Sequence, residues 1–320
     1  MSRHVVLGAG PVGRAVTSRL LADGAQVTVA TRSGTEVPGA TAVRLAGTDP
    51  RLREVLDGAT SLVIATNPPY QSWEEEWPPL IANAIDAAAA AGADLALIGN
   101  LYGHAPVTSP MTASTPLRPT TRKGAVRARM WEQLSDAHRA GRVRVTEIRA
   151  SDYCGPEALS TDSAHVGKRF VMPLLAGRTA WVIGDPDAPH TWTAVGDIAT
   201  TTAAAIASDH GWGRAWVVPT APPRSLRQVA GDIADAAGLS RATVRRHPRG
   251  IVRALGLVDP MMRELREVLY QHDEPFISDG SETTELLGVT ATPWREVIAA
   301  IVAAARPATT DPARSPSSTR

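Results

Sequence analysis

Residues 4–15, His-Val-Val-Leu-Gly-Ala-Gly-Pro-Val-Gly-Arg-Ala, contain an apolar stretch of strand length, a glycine-rich turn and the start of a helix-forming segment. Gly8 permits a tight turn after the strand, Gly10 lets a pyrophosphate approach the backbone, and Gly13 lets the helix pack close to the strand. The free N–H groups and the positive dipole end of such a helix favour phosphate. The motif therefore predicts a dinucleotide-binding βα unit.

The end of the second predicted strand indicates which dinucleotide is bound. Arg32 and Ser33 follow this strand, and no acidic residue occurs before Glu36. An acidic side chain here would accept the ribose hydroxyls of NAD, whereas an arginine suits the 2′-phosphate of NADP. Because a guanidinium offers a planar fork of donors to phosphate, we expect NADP(H) rather than NAD(H). The alternative is a solvated arginine in a loop.

Strand-like and helix-like segments alternate along the first half of the chain. Strands are predicted near residues 4–8, 26–30, 41–45, 61–65, 94–98 and 143–149, and helices near 11–23, 49–57, 74–91 and 121–140. This alternation is typical of an α/β fold with a Rossmann-type doubly wound parallel sheet. Further helices are predicted near 196–208, 225–237, 260–271 and 294–305, in a region with more prolines and less regularity.

These patterns predict three parts of the chain. Residues 1–150 form an NADP(H)-binding Rossmann core, and residues 151–305 form a smaller, mixed substrate-binding region interleaved with that core. Residues 306–320 are rich in Pro, Ser and Thr and carry little to bury, so we expect a disordered tail.

Composition narrows the functional class. The net charge of the 320 residues is +1, which argues against nucleic acid or an anionic membrane as a partner. Cys154 is the single cysteine, so an internal disulfide framework is excluded. With no signal peptide and no apolar run of about 20 residues, we expect a cytoplasmic monomer or homodimer that acts on a small molecule.

Other catalytic motifs are absent from the sequence. It contains no H-E-x-x-H and no His/Cys spacing typical of a metal site, so no metal is expected. It also lacks the G-x-S-x-G nucleophile elbow and the G-x-x-x-x-G-K-[ST] phosphate loop. These absences argue against a hydrolase of the α/β type and against an ATPase.

Four later segments, taken in order with the glycine turn, indicate a family resemblance. They are Asn-Leu-Tyr-Gly at 100–103, Thr-Arg-Lys-Gly at 121–124, Ser-Asp-Tyr-Cys-Gly-Pro at 151–156, and His-Thr-Trp-Thr-Ala-Val-Gly-Asp at 190–197. Over most of residues 1–305 the chain resembles the extended and atypical short-chain dehydrogenases/reductases of the NAD-dependent epimerase/dehydratase type. The resemblance implies a Rossmann fold and a nicotinamide cofactor.

The resemblance fails at the expected catalytic positions. Active members of this superfamily use a Tyr-x-x-x-Lys pair and a Ser or Thr at the end of the fifth strand. Lys123 matches the lysine, but Pro119 stands where the tyrosine is expected. The zone of the Ser or Thr holds Ile98, Gly99 and Asn100. Hydride transfer with the usual proton donor is therefore in doubt.

Lys123 and the tyrosines are the candidates that remain for catalysis. The chain has 33 Lys plus Arg, but lysine occurs only at Lys123 and Lys168. A lysine at the motif position favours contact with the cofactor ribose, against the alternative of a surface side chain. Tyr102 is the preferred substitute for the missing proton donor, followed by Tyr153. Asn100 is a candidate to polarise a carbonyl by donating a hydrogen bond.

Residues near the later motifs are candidates for the substrate side. Asp152 is a potential general base, with an exposed or helix-capping aspartate as the alternative, and His190 is a candidate because the histidine side chain as a type suits acid–base work. Trp192 lies in the same segment as His190. Trp73 and Trp77 have helical spacing, which fits either an apolar substrate wall or a core stripe.

The expected dinucleotide-binding residues are Gly8, Gly10, Pro11, Val12, Gly13, Arg32, Ser33, Ala65, Thr66, Asn67 and Lys123. The catalytic candidates are Tyr102, Lys123, Asn100 and Tyr153, and the substrate candidates are Asp152, His190 and Trp192. Two functions remain open. One is an NADP(H)-dependent oxidoreductase or epimerase acting on a small carbonyl, hydroxyl or sugar-like substrate with a non-standard proton donor. The other is a catalytically silent NADP(H)-binding sensor or regulator.

Overall fold

The computed structural model describes residues 1–104, 109–162, 164–248, 250 and 267–306. Within them, seven parallel strands form one sheet. In chain order these are β1 (Arg3–Leu7), β2 (Gln26–Thr31), β3 (Thr41–Arg44), β4 (Ser61–Ile64), β5 (Asp94–Asn100), β6 (Val145–Ala150) and, after three shorter strands, β10 (Arg214–Val217). Their order across the sheet is β3-β2-β1-β4-β5-β6-β10. The remaining strands, β7 (Tyr153–Cys154), β8 (Ala180–Val182), β9 (Thr193–Ala194) and β11 (Val244–Arg246), form two small parallel pairs, β7 with β9 and β8 with β11.

Ten α-helices lie in the described residues. They are α1 (Pro11–Ala22), α2 (Leu52–Val55), α3 (Trp73–Ala91), α4 (Arg122–Arg139), α5 (Lys168–Leu175), α6 (Val195–Ala207), α7 (Leu226–Ala237), α8 (Tyr270–Asp273), α9 (Ser281–Leu287) and α10 (Trp294–Ala305). Short 3₁₀ turns occur at Tyr70–Ser72, Pro156–Ser160 and Asp209–Gly211. No helix among the residues described has the length and apolar character needed to cross a membrane.

The side chains of the strands alternate between two helical layers, as the period of two in a strand requires. Val5 and Leu7 of β1 pack in the same core as Trp77 of α3. Val6, between them, packs with Val16 of α1 and the α6 residue Ala203. The sheet is therefore covered on both faces, and the doubly wound α/β fold predicted from the sequence is confirmed.

Most predicted elements correspond to observed ones, but α5, α9 and the short strands β7, β8, β9 and β11 were not predicted, and further differences occur. The helix expected near 49–57 is the shorter α2, and most of the helix expected near 260–271 lies outside the described residues. Residues 307–320, nearly all of the expected tail, also lie outside them. The sequence analysis missed β10, which extends the sheet by pairing with β6.

The chain after residue 150 contributes to both the sheet layer and a second core. β10 and α6 belong to the sheet and its covering layer, since β10 pairs with β6 and α6 packs on α1. Helices α5, α7 and α10 enclose a separate apolar cluster with β8 and β11. The segments between these elements bring later residues over the carboxyl ends of β4, β5 and β6, where ligands of doubly wound sheets bind.

Candidate functional site

The glycine turn after β1 has the geometry that a dinucleotide requires. Gly8 has a φ of +116°, and a Cβ there would lie 2.7 Å from the backbone oxygen of Ala65. A Cβ on Gly13 would lie 2.3 Å from the backbone oxygen of Gly8, so α1 packs directly against the turn. A Cβ on Gly10 would meet nothing within 4 Å. The turn is therefore packed tightly on its protein side and is open at Gly10, at the N-terminus of α1, which fits a phosphate.

Two cavities of about 430 Å³ and about 420 Å³ lie along the carboxyl edge of the sheet. Arg32, Thr66 and Pro68 line both, so the cavities adjoin. The smaller one extends from Gly8 past the end of β2. A dinucleotide that follows the glycine turn would have its adenosine half on this side and its other half in the larger cavity.

Among the described residues that line the smaller cavity, Arg32 is the one arginine, and Arg14 and Arg44 bind to backbone oxygens beside it. Arg32 is exposed and makes no ion pair with the described residues. Arg44 donates from Nε to the backbone oxygen of Arg32 at 3.2 Å, and Arg14 donates from Nε to Ala9 O at 3.0 Å. The hydroxyl of Ser33 lies 2.7 Å from that of Thr35. This cavity also has an acidic part, because Glu75 and Glu76 at the start of α3 line it.

The larger cavity collects predicted residues from three strand ends. Ala65, Thr66 and Asn67 follow β4, Asn100 and Tyr102 lie at and after the end of β5, and Asp152 and Tyr153 follow β6. Val12 of α1 also lines it. The cofactor candidates after β4 therefore line the same cavity as the catalytic and substrate candidates after β5 and β6.

Tyr102 is hydrogen-bonded to a second tyrosine. Its hydroxyl lies 3.0 Å from that of Tyr70, and both residues line the cavity. Burial raises the pKa of the Tyr102 phenol well above its usual value, and the nearby Arg127 guanidinium only partly opposes this. Burial likewise raises the pKa of Tyr70. Both phenols are therefore protonated at neutral pH, so each hydroxyl can donate a hydrogen bond.

Asn100 and Tyr153 stand on the same wall. The Oδ1 atom of Asn100 accepts a hydrogen bond from the backbone N–H of Tyr102 at 3.1 Å. This bond fixes the orientation of the Asn100 side chain. Its NH₂ group then remains to donate a hydrogen bond to a ligand. Tyr153 of β7 lines the cavity and packs partly against the cluster around Ile148.

Helix α4 presents Arg127, rather than Lys123, to the cavity. The Nζ atom of Lys123 lies 3.2 Å from Glu267 Oε2 and 5.5 Å from the centre of the Tyr70 ring, and its side chain is 3% exposed. Arg127, one turn later, lines the cavity and donates from Nη2 to Asn67 Oδ1 at 3.1 Å. The expected contact between Lys123 and a cofactor ribose therefore has no support in the position of Lys123.

The start of α4 explains this arrangement. Thr121 caps the helix by accepting a hydrogen bond from the Gly124 N–H at 3.0 Å. A Cβ on Gly124 would lie 2.3 Å from the backbone oxygen of Tyr102, so the first turn packs against the segment after β5. The fourth position after Lys123 then faces the sheet edge, because residues four apart share a helix face.

Asp152 lies beside a group of buried histidines. Its Oδ2 atom is 3.1 Å from His190 Nε2 and 3.6 Å from His272 Nε2. The His165 and His272 rings have centroids 3.7 Å apart. Burial opposes the ionisation of Asp152, but His190 and the charges of the other histidines outweigh it and hold the pKa of the carboxyl well below its usual value. Burial lowers the pKa values of His165 and His272.

The tryptophans are mainly structural. Trp192 is buried beside His190 and donates from Nε1 to the backbone oxygen of Arg224 at 2.8 Å. Trp73 and Trp77 are buried in the core between α3 and the sheet. Trp73 also lines the cavity, and its ring stacks on that of Tyr102 with centroids 6.2 Å apart. The core interpretation holds for both residues, and Trp73 adds an apolar surface to the site.

Three residues of this site were not predicted from the sequence. Arg127 could have been found as the residue one turn after Lys123 on the same helix face. His165 and His272 gave no local signal, because neither lies in one of the motifs quoted above, and His272 is also about 120 positions from Asp152. Pro119, which stands where the family resemblance implies a catalytic tyrosine, lines neither of these two cavities.

Comparison with protein families gives a match over residues 79–218 to the NAD-dependent epimerase/dehydratase family. No curated protein sequence matches the chain.

Many solved structures share the fold. A UDP-glucose 4-epimerase from Thermus thermophilus, in complex with NAD, is 20% identical with a TM-score of 0.74, over 96% of this chain and 99% of that one. A UDP-glucose 4-epimerase from Thermotoga maritima with UDP-glucose is 15% identical with a TM-score of 0.77, over 94% and 98%. A dTDP-glucose 4,6-dehydratase from Streptomyces venezuelae with NAD bound is 19% identical with a TM-score of 0.72, over 94% and 96%.

Proposed function

We propose that this protein is an oxidoreductase or epimerase of the NAD-dependent epimerase/dehydratase type that binds NADP(H) and acts on a small carbonyl, hydroxyl or sugar-like substrate. The observation that carries the proposal is the larger cavity, where the predicted cofactor wall after β4 faces the Tyr102–Tyr70 pair. The partial family match and the fold shared with NAD-bound epimerases and dehydratases support it.

The dinucleotide would lie across the glycine turn. The backbone at Gly10 and the N-terminus of α1 hold its phosphates, and the residues after β4 contact its ribose and nicotinamide half. Arg32 and Ser33 bind a 2′-phosphate, which is the basis for preferring NADP(H). When bound, the nicotinamide supplies or accepts a hydride at the substrate carbon.

The proton that accompanies hydride transfer comes from Tyr102 in this proposal. A phenol within reach of the substrate oxygen gives a proton to that oxygen as the hydride is transferred, which assigns Tyr102 the general-acid role in carbonyl reduction. Tyr70 shares a hydrogen bond with Tyr102, and a proton taken up by Tyr70 from solvent water restores the pair after each turnover. The buried guanidinium of Arg127 stabilises the negative charge left on either oxygen. Asn100 donates to the substrate oxygen and fixes its position.

The test is reduction of a panel of aldehydes, ketones and keto sugars, followed as loss of reduced-nicotinamide absorbance. On a confirmed substrate, Tyr102→Phe is expected to lower turnover by ~10²–10⁴, the usual contribution of general acid catalysis. The affinity for NADPH, measured by fluorescence, should remain unchanged, because the hydroxyl does not hold the cofactor. Tyr270→Phe, at a tyrosine that lines neither cavity, is the matched control and should retain most of the activity.

Two outcomes would contradict parts of this proposal. Full activity of Tyr102→Phe on a confirmed substrate would show that Tyr102 only packs, and Tyr153 would become the candidate donor. Binding of NADPH without turnover of any member of the panel would favour the second function, a catalytically silent sensor. The absence of a titratable group at Pro119 and at Ile98 is the observation that keeps this second function open.

A further inference from the structure

The buried Oδ2 atom of the partly exposed Asp152 carboxylate faces two imidazole nitrogens from distant parts of the chain. One potential ligand atom from each of Asp152, His190 and His272 lies within 4.8 Å of the other two. Asp152 follows β6, His190 precedes β9, and His272 lies in the short helix α8. The side chains of His190 and His272 are 4% and 7% exposed. Three potential metal ligands therefore converge at one buried point.

The hydrogen bonds of His190 determine which of its two ring nitrogens carries a proton and which has a lone pair. Its Nδ1 lies 3.1 Å from the backbone oxygen of Gln271, which can only accept. Nδ1 therefore carries a proton, and a neutral His190 has its lone pair on Nε2. That lone pair then faces the Asp152 oxygen at 3.1 Å, which is repulsive unless a positive charge lies between them. The charge is either a second proton on His190 or a bound cation.

Two of the three separations between the potential ligands fit a small metal ion. Ligands at about 2.0–2.1 Å from a tetrahedral zinc are about 3.3 Å from one another. The two separations from Asp152 Oδ2, 3.1 Å and 3.6 Å, are close to this value. Oδ2 is also buried and has no hydrogen-bond partner of acceptable geometry among the described residues. A ligating histidine that donates its other ring N–H to a backbone carbonyl is the usual arrangement around metals.

We propose that Asp152, His190 and His272 form a binding site for a divalent transition-metal ion, with zinc the best fit to the ligand set. Two histidines and one carboxylate leave at least one position of a four-coordinate ion open, as in catalytic zinc sites. Asp152 lines the larger cavity, so water or an oxygen of a small molecule reaches this position from the cavity. The site does not depend on the proposed cofactor or reaction.

The experiment uses Co²⁺ as the probe, because its visible absorption reports the coordination geometry, followed by competition with Zn²⁺. The full-length protein, freed of metal by dialysis against a chelator, should bind one equivalent of Co²⁺ with the strong visible bands of a four-coordinate ion. Zn²⁺ should displace it. Removing a group that only hydrogen-bonds a metal ligand weakens metal binding about 10–100-fold. Asp152 and His272 are themselves the proposed ligands, so Asp152→Asn and His272→Gln should each weaken binding by more than about 100-fold.

Two further variants distinguish ligation from a change in folding. His272→Cys should restore binding and add a sulfur-to-cobalt charge-transfer band in the near ultraviolet, which His272→Gln cannot produce. His210→Gln, at an exposed histidine, should behave as the unmodified protein. The proposal is overturned if the protein binds no Co²⁺ at millimolar concentration. It is also overturned if folded His272→Gln and Asp152→Asn bind as tightly as the control, in which case a protonated His190 supplies the charge. NADPH binding, measured separately without metal, reports on the proposed function alone.

Discussion

At the scale of single residues, two arginines of the cavities have opposite environments. Arg32 is exposed and has no carboxylate partner among the described residues, so its guanidinium is free for a solvated phosphate. Arg127 is 7% exposed and lies 4.5 Å and 4.8 Å from the ring centres of Trp73 and Trp77. Its Nε and Nη1 atoms have no hydrogen-bond partner in the described chain. A buried charge of this kind acts strongly on nearby groups, because the surroundings screen it weakly.

The cofactor preference is a prediction at this scale. A charge-assisted contact between Arg32 and a 2′-phosphate is worth about 1.5–3 kcal/mol. Titration should therefore give at least about tenfold tighter binding of NADPH than of NADH. Arg32→Ala should remove most of this difference, whereas Arg53→Ala, an exposed arginine outside both cavities, should not change it. Equal affinity of the unmodified protein for the two cofactors would rule out this role of Arg32.

The single-residue assignments to a cofactor stay predictions, but the local geometry on which the glycine assignments rest is present. The glycines could be assigned because each occupies a position in a turn whose geometry is set by its neighbours in sequence. Lys123 was assigned to the cofactor by counting from a family motif, but the packing of Gly124 against Tyr102 places Arg127 at the cavity. That packing is a contact between segments, and the spacing of residues in the motif does not contain it.

At the scale of elements, the unit formed by β1, the glycine turn and α1 has one glycine that is needed for packing and another that is needed for ligand binding. Gly13 touches the protein on its Cβ side, whereas Gly10 faces open space. Two substitutions to alanine in the same turn therefore have different physical consequences. The difference follows from geometry that holds whatever the ligand is.

Gly13→Ala should destabilise the fold, because its Cβ would lie 2.3 Å from the Gly8 oxygen and the helix must move. Overpacking of this kind costs about 1–3 kcal/mol or more. Gly10→Ala should leave the free energy of unfolding unchanged within about 0.5 kcal/mol. It should nevertheless weaken NADPH binding, since the methyl group takes the place of a phosphate. Urea unfolding and cofactor titration of both variants check this. A stable Gly13→Ala, or normal binding by Gly10→Ala, would contradict the packing or the site respectively.

Most of the helices and the first six strands were predictable because each has its own periodicity and a bounding turn, whereas α5 and α9 were not predicted. α3 is long and rich in Ala, and β4 is a continuous apolar run, as buried parallel strands usually are. β10 is no shorter than β3 and β4, but it was missed because it directly follows the segment at 211–213, which contains two glycines. Its place in the sheet depends on pairing with β6, a contact across about 70 positions that no local pattern encodes.

At the scale of the whole molecule, the chain returns to the sheet edge after building a second core. This return places His190, His272 and Phe276 above the ends of β5 and β6, with the His190 and Phe276 rings 5.2 Å apart. The sequence analysis had no means to bring these residues together, since they belong to separate segments with weak patterns. The same packing buries several histidines, and this affects how the stability of the molecule depends on pH.

His104 is the clearest of these histidines. It is 1% exposed, and burial, aided by the charge of Arg149, lowers its pKa from 6.5 to about 4. Between these two values the unfolded chain binds a proton that the folded chain does not, so stability decreases as the pH falls. From pH 8 to pH 5 this histidine alone should cost about 2 kcal/mol of unfolding free energy. The lowered pKa values of His165 and His272 act in the same direction.

Urea unfolding at pH 8 and pH 5 tests this, with His104→Gln compared against the exposed His210→Gln. The control should lose stability on acidification as the unmodified protein does. His104→Gln should lose about 2 kcal/mol less, because no proton binds at position 104 in either state. Asp152 does not interfere in this interval, since a carboxyl with a lowered pKa loses its stabilising effect only below its usual value near 3.8. Equal acid losses in the two variants would mean that His104 takes up its proton in the folded protein, and the stability difference would then have to come from the histidines around Asp152.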